Sequence, residues 1–279
     1  MLRFKDFIKL DEKVLIIGDN SRSQTYPKFN QILVLVGGGG SGKGFTFSKM
    51  IAFEGKKFDV DELKSNFLKF KPKTLVDAFE KETGRYVESI DLGNPDDVFL
   101  LHQFFKDHNL PEKSMNAFFL NASTLKNKPN VIFDVTLKDL DKLKEISEYA
   151  ELGGYDKKNI SLVWIVNDIN VAVVQNTARE RKVPMKILLK THEGASRTMK
   201  QIIEETNELR KYADGQIWLL WNKANVDSAF TKTKQGNLVL DRYGAVEVKK
   251  KGQAAIPFEE ISSSVIEKIN SYVPNTSQW

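Results

Sequence analysis

The chain has 279 residues, a formal net charge of +5 and a pI near 9.0, and it contains no cysteine. Disulfides, thiolate metal sites and cysteine nucleophiles are therefore excluded, while 41% hydrophobic and 28% charged residues are the proportions of a soluble globular protein. No apolar run nears the roughly 20 residues of a membrane span, and the first nine residues are too charged for a secretory signal, so no membrane partner and a cytoplasmic location are expected.

Residues 1–30 read as a lead-in, with a short amphipathic helix over 4–10 and a strand over 14–17. Ile32–Val36 is a run of five apolar residues, the pattern of a fully buried strand. A glycine-rich loop follows, then a helix to about residue 52. A second strand over 57–61 contains Asp59 and ends in Asp61, with a helix over 62–70 after it. Residues 71–128 are helical in pattern, hold no strand, and read as an insertion. A third strand over 130–134 ends in Asp134. The helix over 137–152 stops at Gly153-Gly154, and Ile160–Val166 is a fourth strand. Helices over 171–181 and 195–212 flank a loop over 182–193 that contains Pro184. The fifth strand spans 216–221. Segments 237–240 and 245–249 are expected to form a small C-terminal β-hairpin, with lysines 249–251 as a solvated turn and a terminal helix over 258–272. Strands alternating with helices predict a three-layer α/β fold around a five-stranded, mostly parallel sheet. Ligands of such sheets sit at the carboxyl ends of the strands, where Gly37, Asp61, Asp134 and Asn167 fall.

The glycine run carries the sharpest signal. Gly37-Gly-Gly-Gly-Ser-Gly-Lys43 meets the Walker A pattern G-x-x-x-x-G-K, but Gly44 stands where Ser or Thr is expected. Phosphate oxygens need converging backbone N–H donors, and glycine removes the Cβ that would block their approach. The helix that begins near Lys43 adds its unpaired N–H groups and positive dipole end. A flexible linker would need neither the apolar strand before the loop nor the lysine after it. Gly38, Gly39, Gly40, Ser41, Gly42, Lys43, Gly44 and Phe45 are thus the expected ATP-binding set, with Lys43 on the outer phosphates.

Asp134 is placed where a P-loop protein needs a carboxylate near Mg²⁺, directly or through water; the bland alternative is a cap on the next helix. Asp61 could orient a hydroxyl and take its proton, or simply cap a helix with Lys64 at the third position. Arg179, Arg181 and Arg197 flank one loop and could close over a transferred phosphoryl group as a lid spanning about 179–197, although a single arginine is more often a surface ion pair. His192 is expected to pack that loop and His102 to serve a structural role on an apolar face. With three histidines and no cysteine, a zinc site is not expected. Phe45, Phe47, Phe53, Trp218 and Trp221 read as core.

At these residues the chain resembles the zeta-toxin group of P-loop kinases, and more broadly the adenylate-kinase-like and polynucleotide-kinase-like phosphotransferases. Phe58-Asp-Val-Asp-Glu-Leu-Lys64 resembles the family's Asp-x-Asp segment, whose second aspartate is taken as the base. Val131-Ile-Phe-Asp-Val-Thr-Leu-Lys138 resembles its Asp-Gly-Thr-Leu-Arg segment, with Val135 and Lys138 as departures. Arg179 or Arg181, and Arg197, match the lid arginines in order. Ile217-Trp-Leu-Leu-Trp-Asn222 resembles the last strand before the adenine loop. The Gly-Lys-Gly of Gly42–Gly44 is similar to that of adenylate kinases, in which water completes the metal shell, and Thr46 is the hydroxyl next along the helix. The resemblance, which covers roughly 31–235, implies a kinase domain over 31–279 that uses ATP and Mg²⁺, with a nucleotide sugar as one acceptor class. The mild basic excess keeps a nucleic-acid 5′-OH or a modified base open as the acceptor. A nucleotide-gated binding protein with little transfer is the alternative that Gly44 raises.

Overall fold

The computed structural model describes residues 15–16, 27–178, 183–223, 226–227, 229–232, 238–242, 244–257 and 260–273. Its centre is β2 (Ile32–Val36), in which all five side chains are buried. β5 (Val131–Val135) and β6 (Ile160–Val166) pair with it in parallel on either side. β4 (Lys56–Phe58) extends the sheet beyond β5, and β7 (Ile217–Trp221) extends it beyond β6, both parallel. The order β10-β7-β6-β2-β5-β4 closes with β10 (Gly244–Lys249), which runs antiparallel to β7. Among the described residues the sheet thus has six strands rather than the five expected.

Alternation along β2 divides the core. Ile32, Val34 and Val36 face a large cluster supplied by α5 (Leu110–Ser123), α6 (Leu140–Leu152), α8 (Met185–Glu204) and α10 (Ser263–Tyr272). Leu33 and Leu35 face a smaller one with Met50 at the end of α1 (Lys43–Met50), Ile51 and Phe53. Ile51 belongs to β3 (Ile51–Ala52), which pairs with β1 (Leu15–Ile16); the expected helix over 4–10 lies outside the described residues. Between β4 and β5 the chain is helical: α2 (Val60–Phe70), α3 (Lys73–Thr83), α4 (Pro95–Asp107), then α5. Phe67, Phe79, Leu101, Phe104 and Phe105 give α2, α3 and α4 a core of their own, with Phe79 and Phe104 in an edge-to-face pair 5.1 Å apart.

Three sequence expectations are corrected. The C-terminal hairpin does not form as expected, because β9 (Leu238–Arg242) pairs with β8 (Ala229–Lys232) while β10 joins the main sheet. The loop expected over 182–193 is largely helix: Pro184 caps α8 instead of interrupting a loop, since proline is well tolerated where a helix starts. Lys249, expected in a solvated turn, is buried. A register shift between Glu247 and Lys249 turns its side chain inward, where the ammonium meets Asp214 at 2.9 Å and the carbonyls of Asp214 and Gly215.

Candidate functional site

Because β2 lies between β5 and β6, the chain leaves β2 toward one side of the sheet and later crosses to the other. A crevice opens at such a switch point, beyond the carboxyl ends of the strands. The glycine loop occupies it and forms one wall of a cavity of about 880 Å³, within the range of small-molecule sites. The opposite walls come from the start of α2 (Asp59, Asp61, Lys64), from Phe99 and His102 on α4, from Asp134 to Thr136 after β5, and from Gln175, Pro184, Ile187 and Thr191 beside α7 (Ile169–Thr177) and α8.

The loop conformation requires glycine at two positions for φ: Gly40 and Gly42 are left-handed, at +72° and +83°. A Cβ on Gly40 would approach the Ala172 carbonyl to 2.7 Å, and one on Gly42 would overlap the Asn222 amide. That amide donates to the Ser41 carbonyl at 3.0 Å, tying the loop to the end of β7. Gly42 also stands as N-cap of α1, so the start of that helix, with its unpaired N–H groups, borders the cavity. Lys43 rests on the loop itself, its Nζ donating to the Gly37 carbonyl at 2.6 Å. It lies 3.7 Å from one oxygen of Asp134, while Lys57 holds the other at 3.1 Å.

Lys57 bridges two carboxylates, since its Nζ also contacts Asp59 at 3.1 Å. Burial pulls its ammonium down, but Asp134 and Asp59 together outweigh this and hold its pKa above the ordinary value. Asp59, rather than Asp61, caps α2, accepting from the Asp61 N–H at 2.9 Å. Asp61 sits in the first turn, half-exposed toward the cavity, 3.4 Å from the buried Lys64 ammonium. Lys64 in turn lies 3.2 Å from Nδ1 of His102.

The expected site residues therefore separate into groups. Gly38 to Phe45, Asp61 and Asp134 line the one cavity. Phe45 is exposed there rather than packed in the core, whereas Phe53 and Trp221 are buried. Thr46 is fully buried, and its hydroxyl has no hydrogen-bond partner among the described residues. Arg197 is exposed on α8 and does not line the cavity; Arg179 and Arg181 lie outside the described residues. Sequence spacing gave no reason to single out Lys57, and it assigned Lys64 and His102 to a helix cap and an apolar face. The one available signal was the Asp61–Lys64 separation of three, which places both on one side of α2.

His192 lies inside α8, buried against the loop rather than within a loop of its own. Burial, then the nearby Lys43 charge, push its pKa down, although its bond to the Gly39 carbonyl acts the other way. Among the described residues, no group of three or more His, Cys, Asp or Glu side chains could hold a metal ion.

No family model matches the chain, and no curated protein matches it in sequence. Among solved structures, the complex of AvrRxo1-ORF1 with AvrRxo1-ORF2 and ATP aligns with 14% identity and a TM-score of 0.41, covering 86% of this chain and 63% of that one. The same complex with sulphate ions gives the same values. The PezAT chromosomal toxin–antitoxin system of Streptococcus pneumoniae aligns with 15% identity and a TM-score of 0.41, covering 92% and 89%. This chain thus spans less than two thirds of the AvrRxo1 chains it aligns with. Likeness this distant leaves function to be read from the chain's own residues. Among those described, no helix is long and apolar enough to cross a membrane.

Proposed function

We propose that the chain is an ATP-dependent phosphotransferase that moves the γ-phosphoryl group to a hydroxyl of a small-molecule or nucleotide-type acceptor. The observation that supports this is convergence: the glycine loop, Lys43, Asp134 and the Asp59–Asp61 pair border one cavity at the sheet's switch point. Loop amides other than those of Gly39 and Ser41, which bond within the protein, take the phosphates together with the start of α1, and Lys43 leaves the Gly37 carbonyl to neutralise the outer ones. Asp59 is engaged by Lys57 and the α2 cap, whereas Asp61, beside Lys64, is the more exposed of the two into the cavity and so better disposed toward an acceptor. Asp61 takes the hydroxyl proton as the acceptor oxygen bonds to the γ-phosphorus and the bond to ADP breaks.

The donor set fits Mg²⁺ bound largely by phosphates and water, because Mg²⁺ needs only one or two protein carboxylates and Asp134 stands in the cavity wall beside Lys43. Such an ion would offset phosphate charge. Arg179 and Arg181 are the proposed lid cations. A second reading, a nucleotide-gated binder with little transfer, is favoured by Gly44, which offers no metal-side hydroxyl.

Incubation with γ-labelled ATP and Mg²⁺ against pools of nucleotide sugars, nucleosides and 5′-OH oligonucleotides separates the two. Label transfer that disappears in Lys43→Ala and Asp61→Asn supports the kinase. ATP binding with neither transfer nor hydrolysis supports the binder.

A further inference from the structure

Two adjacent residues of α8 grip the middle of the glycine loop. The Gly39 N–H donates to Oγ1 of Thr191 at 3.1 Å, and the Gly39 carbonyl accepts from Nε2 of His192 at 2.6 Å. Both backbone polar groups of one residue are thus held by side chains about 150 positions away in sequence. The proton directions follow from the partners. Thr191 sends its own hydroxyl proton to the Leu188 carbonyl at 2.6 Å, so it accepts from Gly39. A carbonyl only accepts, so His192 presents an N–H at Nε2. The ring is 4% exposed and stands where a side chain at position 38 would be, since a Cβ on Gly38 would overlap it. Glycine at 38 is therefore demanded by the protein's own packing. The same helix reaches the far wall of the cavity through Ile187.

We propose that Thr191 and His192 are positioning residues that set the Gly38–Gly39 segment for nucleotide, so that α8 and the phosphate loop act as one unit. This rests on the nucleotide-binding part of the function proposed above. His192 is buried behind the loop and acts through it; Thr191 also borders the cavity, so the buried His192 is the cleaner test of positioning. Loss of one buried hydrogen bond that orients a binding loop is expected to weaken binding about tenfold or more.

The test is a fluorescent-ATP titration alongside thermal unfolding for His192→Ala, His192→Gln, Thr191→Val, Gly38→Ala and the double variant Gly38→Ala/His192→Ala. His192→Ala and Thr191→Val should each lose about tenfold in affinity, and His192→Gln, which keeps an N–H donor at similar reach, should recover most of it. Gly38→Ala should lose affinity and melting temperature, and the double variant should be no worse than His192→Ala, because removing the ring makes room for the methyl group. Wild-type affinity in both His192→Ala and Thr191→Val, with melting temperature alone reduced, would overturn the proposal. So would losses in the Gly38–His192 cycle that simply add. If the wild-type protein binds no nucleotide at all, the functional reading fails, while the stability cycle still decides whether the ring and Gly38 compete for one space.

Discussion

Gly44 offers a substitution that the structure makes unusually clean. It is the second residue of α1, its φ is not left-handed, and a Cβ built on it meets nothing within 4 Å. Alanine and serine should therefore both fit without displacing a neighbour. Each removes backbone freedom from the unfolded chain, an effect of about 0.5–1 kcal/mol. For a chain of this size 1 kcal/mol moves Tm by about 2–4 °C, so both variants should melt roughly 1–4 °C higher. Only serine adds a hydroxyl at the position where Walker A loops carry one. The contrast between Gly44→Ser and Gly44→Ala isolates that group from the backbone effect. Mg²⁺ titrations of ATP binding and turnover should show half-saturation at about tenfold lower Mg²⁺ for the serine variant, a difference of about 1.4 kcal/mol. Identical Mg²⁺ dependence in the two variants would refute the metal-side placement of position 44. A fall in Tm for either would refute the claim that the space beside it is open.

Three further outcomes follow from the ion pairs and the buried histidine. Lys57→Met leaves Asp59 and Asp134 facing each other without the ammonium between them; stability should fall by about 1 kcal/mol, while Mg²⁺ binding to the nucleotide-free protein should strengthen, and unchanged Mg²⁺ affinity by calorimetry would count against the bridging role of Lys57. Lys249→Met removes a buried cation from Asp214 and from the carbonyls of Asp214 and Gly215; Arg210 still holds the Asp214 carboxylate, so the cost in urea unfolding should be about 1–3 kcal/mol, that of leaving buried carbonyls without their donor, and a cost no greater than that of an exposed lysine would be inconsistent with its burial. His192 has a folded pKa below its ordinary 6.5. The unfolded chain therefore takes up a proton first, and stability present near neutral pH is lost as pH falls from about 6.5 toward the lower folded value. His192→Gln should flatten Tm against pH in that window, and an unchanged slope would mean that another group titrates there.

The central strands were legible because continuous apolar runs leave little choice. Ile32–Val36 and Ile160–Val166 form as the pattern predicts, and the glycine loop between β2 and α1 follows from residue types that few other structures need. The C-terminal strands were not legible, because β10 pairs with β7 across an excursion of more than twenty residues, while the closeness of segments 237–240 and 245–249 suggested a local hairpin. Lys249 was misread because a bulge reverses the facing of one residue and leaves no mark on composition. At the site, Asp134 near the end of β5 could be found from position alone; Asp61, expected to end a strand, lies instead in the first turn of α2, because β4 stops at Phe58 and Asp59 caps the helix. Lys57, Lys64 and His102 could not be found that way, since a lysine on a helix or edge strand is ordinarily solvated; the pairing of β4 with β5 brings Lys57 to Asp134, and the packing of α4 against α2 brings Lys64 to His102.

The two edges of the main sheet bear on how copies of the chain behave when crowded. An open edge offers unpaired N–H and C=O groups to any passing strand. Here one edge is β4, only three residues long and bearing Lys56 and Lys57. The other is β10, broken by the bulge that sends Lys249 inward. A short charged edge at one side and an irregular one at the other give a neighbouring copy little to zip onto. The bulge that turns Lys249 inward thus also makes this edge a poor template for edge-to-edge pairing.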